Sequence, residues 1–137
     1  MSENRIEAPS RFGDPSRACI FVSANGSPPR GWPFVVRPQG SALWCTTYAR
    51  SAKMAWIAKA DQATCLVFLD EASIFPYSVV DGSIHVVRGT PALVSQWFER
   101  PVAELEDVRV ADRLLSGKRV FLVVRPEHPR LTFQGGS

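Results

Sequence analysis

The chain has little cysteine, little histidine and no long apolar run. Its 137 residues include three cysteines and two histidines. Cys19, Cys45 and Cys65 stand far apart, with neither a CxxC pair nor a Cys/His cluster, which argues against a metal site. Each lies in an apolar stretch, beside Ile20, Trp44 and Leu66, and reads as a buried thiol of a reducing cytoplasm. No apolar run approaches the roughly 20 residues that a membrane-spanning helix needs. The N-terminal stretch MSENRIEAPSRFGDPSR has no apolar core of the signal-peptide kind. A cytoplasmic protein is therefore expected. Lys/Arg blocks are also missing. A net charge of +3 admits an anionic ligand but is no nucleic-acid footprint. GxSxG, HExxH, P-loop and GxGxxG patterns are all absent.

What is present is an ordinary globular composition. Apolar residues make up 45% and charged residues 21%, and the length suits one domain. Residues 1–16, punctuated by Pro9, Gly13 and Pro15, read as a loose arm, with one domain over 17–137. ACIFVSA (18–24) is rich in strand formers, and Asn25-Gly26 after it signals a hairpin. Strands are expected over Trp32–Arg37 and Ala42–Thr47, with a turn at Gln39-Gly40. In SAKMAWIAKA (51–60) the period changes: Met54, Ile57 and Ala58 fall on one helical face, with Ser51 as N-cap.

ATCLVFLD (63–70) returns to strand. A short strand near Tyr77–Val80, a turn at Asp81-Gly82 and a long strand over Ser83–Val94, bent at Gly89 and Pro91, are expected next. Residues 95–116 read as two helices divided by Pro101. KRVFLVVRP (118–126) reads as a buried strand, and Arg130–Phe133 as an edge strand. Strands outnumber helices and the connections are short. The pattern predicts a mainly β, α+β fold, an antiparallel barrel with a few short helices packed outside.

Chemistry concentrates in TTYARSAK (46–53), where a strand gives way to a helix. A helix N-terminus is electropositive and prefers acidic side chains. Arg50 and Lys53 stand there instead. An anion would resolve the conflict, because unpaired backbone N–H groups, the hydroxyls of Thr46, Thr47 and Ser51, the Arg50 fork and the Lys53 ammonium together make a phosphate cradle. The neighbouring strand GWPFVV (31–36) would carry a planar ligand along its pleat. Other candidates are weaker. His85 reads as a sheet-surface or partly buried residue and His128 as a turn residue. Adjacent carboxylates Asp70 and Glu71 point to opposite faces of an extended chain. Arg88 reads first as a rim ion-pair partner and second as an anion contact.

The succession NGSPPRGWPFVV, SALWCTTYARSAK, ATCLVFLD, IHVVRGTPALV and FLVVRPEHPRL resembles the pyridoxamine 5′-phosphate oxidase-like, FMN-binding split barrels over about residues 18–134. The resemblance implies an antiparallel split β-barrel and a homodimer holding its cofactor between subunits. It places Thr47, Ser51 and Lys53 on phosphate-binding positions, with Thr46 and Arg50 beside them. Trp32, Phe34 and Val35 become neighbours of the flavin ring. Some members carry Arg directly before the Lys, where this chain has Ala52. An Arg-x-His substrate motif near the C-terminus is missing, so the resemblance implies an FMN oxidoreductase of unknown substrate. A deazaflavin-dependent reductase of the same fold is the alternative, and a non-catalytic flavin-binding or purely structural dimer the next.

Overall fold

The computed structural model describes residues 11–24, 26–60, 62–69 and 77–127, and the backbone of 133–135. Seven strands run in chain order: β1 (Ser16–Ser23), β2 (Arg30–Gln39), β3 (Ala42–Tyr48), β4 (Gln62–Phe68), β5 (Tyr77–Val87), β6 (Arg119–Pro126) and β7 (Phe133–Gly135). Three helices join them: α1 (Ala52–Ala58), α2 (Pro91–Phe98) and α3 (Arg109–Ser116), with a 3-10 turn at Val102–Glu104. The sheet order is β4-β1-β2-β3-β6-β5-β7, every pairing among these strands is antiparallel, and a β4–β5 pairing closes the first six into a barrel. This is the mainly β barrel with helices outside that the strand count predicts. No helix of the described residues is long and apolar enough to cross a membrane.

Alternation in the strands decides what fills the barrel. Ala18, Ile20 and Val22 of β1 point inward, as do Ala63, Cys65 and Val67 of β4, while their neighbours turn outward. Ile57 of α1 plugs the same core. β6 breaks the alternation because both of its faces are covered. Leu122 and Val124 enter the barrel, while Phe121 and Val123 enter a second core under α2 and α3. A strand buried on both sides reads as a continuous apolar run, as RVFLVV does.

The second core also takes Phe12, which is only 2% exposed. Its ring meets Trp44 and Trp97 edge-on at centroid distances of 5.4 and 4.9 Å. The Gly13 N–H donates to the Pro38 carbonyl at 2.7 Å. This part of the expected loose arm is therefore packed; residues 1–10 lie outside the described residues. The sequence signal is one aromatic residue among polar ones, which cannot report a groove built by distant elements.

Two expectations between 77 and 94 are corrected. Asp81-Gly82 is no turn, because β5 runs unbroken through it. A Cβ on Gly82 would lie 1.9 Å from the Arg125 carbonyl oxygen, so glycine here admits the neighbouring backbone rather than reversing the chain. The expected strand to Val94 stops at Val87, and Pro91 begins α2. Thr90 is its N-cap and accepts a hydrogen bond from the Leu93 N–H at 3.2 Å, with proline in the first turn where its missing N–H costs nothing. Thr90→Ala should lower stability by about 1 kcal/mol, read from the denaturant midpoint at unchanged slope. The hairpin turn at Gln39-Gly40 is found, with Gly40 at φ 60° and Gln39 paired to Ala42. Asn25, Asp70, Glu71 and His128 lie outside the described residues.

Candidate functional site

The pairing between β2 and β3 is short. Only Gln39↔Ala42, Pro38↔Leu43 and Arg37↔Trp44 are in register, and beyond them the strands part. β2 continues against β1 through Val36, Val35 and Phe34, and β3 continues against β6 through Thr46, Thr47 and Tyr48. Facing edges of the two strands are left without each other. A cleft of about 960 Å³ opens there, floored by Pro33, Phe34 and Val35 of β2 and by Ala18 and Cys19 of β1. Thr46, Thr47 and Tyr48 form its far wall, with Lys53 of α1 and Trp97 of α2 at the rim.

The charge of the cleft is one-sided. Arg17, Arg37, Lys53 and Arg119 line it, and among the described residues no carboxylate does. Arg37 is committed elsewhere, to Glu99 at 3.4 Å and to backbone carbonyls. Lys53 lies over the Phe34 ring with Nζ 5.1 Å from the centroid. Arg119 stacks on Tyr48 at 4.5 Å and donates from Nη2 to Thr46 Oγ1 at 2.7 Å. Its Nε is buried without a hydrogen-bond partner. A buried donor left unpaired costs roughly 1–3 kcal/mol.

Of the sequence candidates, Phe34, Val35, Thr46, Thr47 and Lys53 meet in this cleft. Arg50 and Ser51 do not: they line a neighbouring pocket with Arg113 and Lys118. Ser51 occupies the N-cap position, but its hydroxyl makes no capping bond and is buried without a partner. Trp32 pairs with Ile20 and packs half-buried against the barrel core, away from the cleft lining. Arg119 and Tyr48 are the residues that sequence reasoning missed. Tyr48 stood inside the motif itself, whereas Arg119 enters only through the register, which places it opposite Tyr48.

His85 is exposed on β5, with Nε2 2.8 Å from Ser83 Oγ, and is not among the cleft residues. Arg88 has no carboxylate partner among the described residues, so its expected rim ion pair is not formed there. Cys45 and Cys65 are buried, whereas Cys19 is half-buried at the cleft floor. Burial, helped by the nearby Cys19 thiol, pushes Cys65 up to about 12. Burial also pushes Cys45 far up, with a smaller contribution from Cys65. A thiol held protonated is a poor nucleophile. Cys19 should therefore react first with a disulfide reagent, and Cys45 and Cys65 only on unfolding. Three equal labelling rates in the native protein would contradict this.

Solved structures match this arrangement of strands. A Listeria innocua protein assigned as a pyridoxamine 5′-phosphate oxidase superposes with a TM-score of 0.62 at 12% identity, covering 89% of this chain and 90% of its own. A pyridoxamine 5′-phosphate oxidase-related, FMN-binding protein of Nostoc punctiforme gives 0.57 at 16% identity, over 81% of this chain and 70% of its own. An F420 reductase gives 0.56 at 17% identity, over 93% and 97%. The chain shares their split-barrel fold. No family model and no curated protein matches it in sequence. At these identities the likeness is one of fold, and in this chain the split between β2 and β3 opens the cleft.

Proposed function

We propose that the cleft binds a flavin-type cofactor, FMN first, and that the protein is an oxidoreductase. The observation that carries this reading is the parted β2–β3 edge, lined among the described residues by cations and no carboxylate. It fits a ligand with a flat, hydrogen-bonding ring system and an anionic tail. Parted strand edges supply backbone donors and acceptors for the ring, and Phe34 and Val35 supply apolar surface. Lys53, Arg119, Thr46 and Thr47 would hold the phosphate. Arg119 brings the guanidinium that Ala52 lacks, and its buried, unpartnered Nε is the specific atom that suits an acceptor. Once bound, the flavin would supply the hydride or electron chemistry. The chain's own part is to hold the ring, neutralise the tail and leave one face of the ring accessible.

A similarity to the FMN-binding protein of Nostoc punctiforme supports FMN. A similarity to the F420 reductase supports a deazaflavin as the second reading, since the same cations would serve its phosphate. Val35, Tyr48 and Leu69 are exposed apolar or aromatic surface on or beside the cleft. We assign this surface to a second copy of the chain, which would cover the ring in a homodimer. A reducing cytoplasm suits the three thiols.

The test is the absorbance spectrum of the purified protein, followed by titration with FMN and with a deazaflavin. A flavin band that persists through gel filtration supports the reading. Tight binding of the deazaflavin alone selects the second. Bound flavin that no donor reduces removes the oxidoreductase assignment, and binding of neither removes both readings.

A further inference from the structure

We propose that the chain carries a second anion-binding site, separate from the cleft and divided from it by Tyr48. The site is a pocket of about 830 Å³ lined by Tyr48, Arg50, Ser51, Arg113, Ser116 and Lys118. Its ligand is a small phosphorylated or polycarboxylate anion. Three separate segments bring the cations together: Arg50 from the turn before α1, Arg113 from α3, and Lys118 from the link into β6. The Ala49 N–H donates to the Lys118 carbonyl at 2.9 Å and fixes the first segment against the third. Arg88 stands behind them, its guanidinium packed against Gly117.

Among the described residues no carboxylate lines this pocket. Among the described residues none of these four cations has a carboxylate within ion-pair distance. Like charges gathered in a concavity without counter-charge repel one another, and the same geometry concentrates field on an entering anion. A solvated surface patch would explain the charges alone. It would not explain Ser51, a lining residue whose hydroxyl is buried behind the pocket wall without a hydrogen-bond partner. That oxygen is a donor waiting for an acceptor.

Among the described residues Tyr48 is the one that lines both cavities. Its hydroxyl accepts from Arg113 Nη1 at 2.7 Å on one side, and its ring lies under Arg119 on the other. Arg50 and Ser51 therefore belong to this second site, and Lys53 and Thr47 to the first. The motif TTYARSAK serves two anion sites rather than one.

The anion could reach the pocket as an arm of the molecule bound in the cleft or as a free ligand, and the experiment separates the two. Inorganic pyrophosphate is titrated calorimetrically into the Lys53→Ala protein, in which the cleft's own phosphate site is weakened. It is also titrated into the same protein carrying Arg113→Gln and Lys118→Gln. Saturable one-to-one binding is expected in the first, at least tenfold weaker in the second, with unchanged circular dichroism. Equal affinity in the two, or no saturable binding, overturns the proposal. No flavin is present, so this outcome does not depend on the assignment of the cleft.

FMN and FAD are then compared in the otherwise wild-type protein with and without Arg113→Gln/Lys118→Gln. Weaker binding of FAD alone, whose chain carries a second phosphate, identifies an arm of the cofactor. Unchanged binding of both flavins, with pyrophosphate still affected, identifies a free anion. An equal loss for both flavins places the single FMN phosphate in this pocket and overturns the division into two sites.

Discussion

Lys53→Ala is expected to weaken FMN binding by about 1.5–3 kcal/mol, the contribution of a hydrogen bond to a charged group. In affinity this is roughly ten- to hundredfold. The expectation rests on position more than on charge type. Lys53 is the α1 cation that lines the cleft, and its ammonium already lies over the ring of Phe34. Arg50, three residues earlier in the motif, lines the other pocket and should be nearly silent toward FMN. The comparison of Lys53→Ala with Arg50→Ala is therefore sharper than either variant alone. Riboflavin, which lacks the phosphate, should bind both variants like the parent protein. The helix start should stay formed in Lys53→Ala, since alanine is the stronger helix former. An FMN affinity that is unchanged, or that falls only in Arg50→Ala, would falsify the placement of the phosphate.

Much of this site was legible in the sequence, and the part that was not has identifiable causes. The motif 46–53 announced itself because two cations at a helix start conflict with the helix dipole, and such local conflicts need no tertiary information. The strands forming the cleft were equally readable, because their runs are rich in strand formers and the Gln39-Gly40 turn between β2 and β3 is local. The split itself was not. Nothing in GWPFVV or LWCTT says that their pairing stops at Arg37↔Trp44. Arg119 was hidden for the same reason. In KRVFLVVRP it looks like the polar end of a buried strand, and only its register opposite Tyr48 brings it to the cleft.

The two errors in β5 and α2 come from local signals with more than one physical meaning. Asp-Gly favours a hairpin because glycine tolerates positive φ, yet the same missing Cβ also admits the Arg125 carbonyl. Thr90-Pro91 is a helix start. The run IHVVRG before it has the stronger strand pattern, and it carried the strand assignment too far.

Arg37→Met is expected to lower stability by about 3–4 kcal/mol. Arg37 extends from β2 between two segments distant in sequence. Its Nε donates to the Gly13 carbonyl at 2.9 Å and its Nη1 to the Trp97 carbonyl at 2.5 Å. Nη2 reaches the Phe12 carbonyl and the Glu99 carboxylate, each at 3.4 Å. The guanidinium also lies over the rings of Trp97 and Phe12, at 4.8 and 5.4 Å. Its side chain is only 15% exposed. The two short bonds to carbonyls, at roughly 1.5–2 kcal/mol each for a charged donor, account for the estimate. The long pair with half-exposed Glu99 adds little.

Methionine fills similar volume but leaves the Gly13 and Trp97 carbonyls without donors, and Lys in place of Arg cannot serve both. Denaturant unfolding would measure the loss. Near-ultraviolet circular dichroism should show the Phe12–Trp44–Trp97 packing loosened, because Arg37 ties its first and last members together. A loss below about 1 kcal/mol, the size of one ordinary hydrogen bond, would show that the network is not what holds this corner. The same residue separates stability from binding. Trp97 and Arg37 both line the cleft, so Arg37→Met should lower stability and flavin affinity together, whereas Lys53→Ala should lower affinity alone. If both variants lost affinity with no change in stability, Arg37 would be a direct ligand contact rather than the tie that shapes the cleft wall.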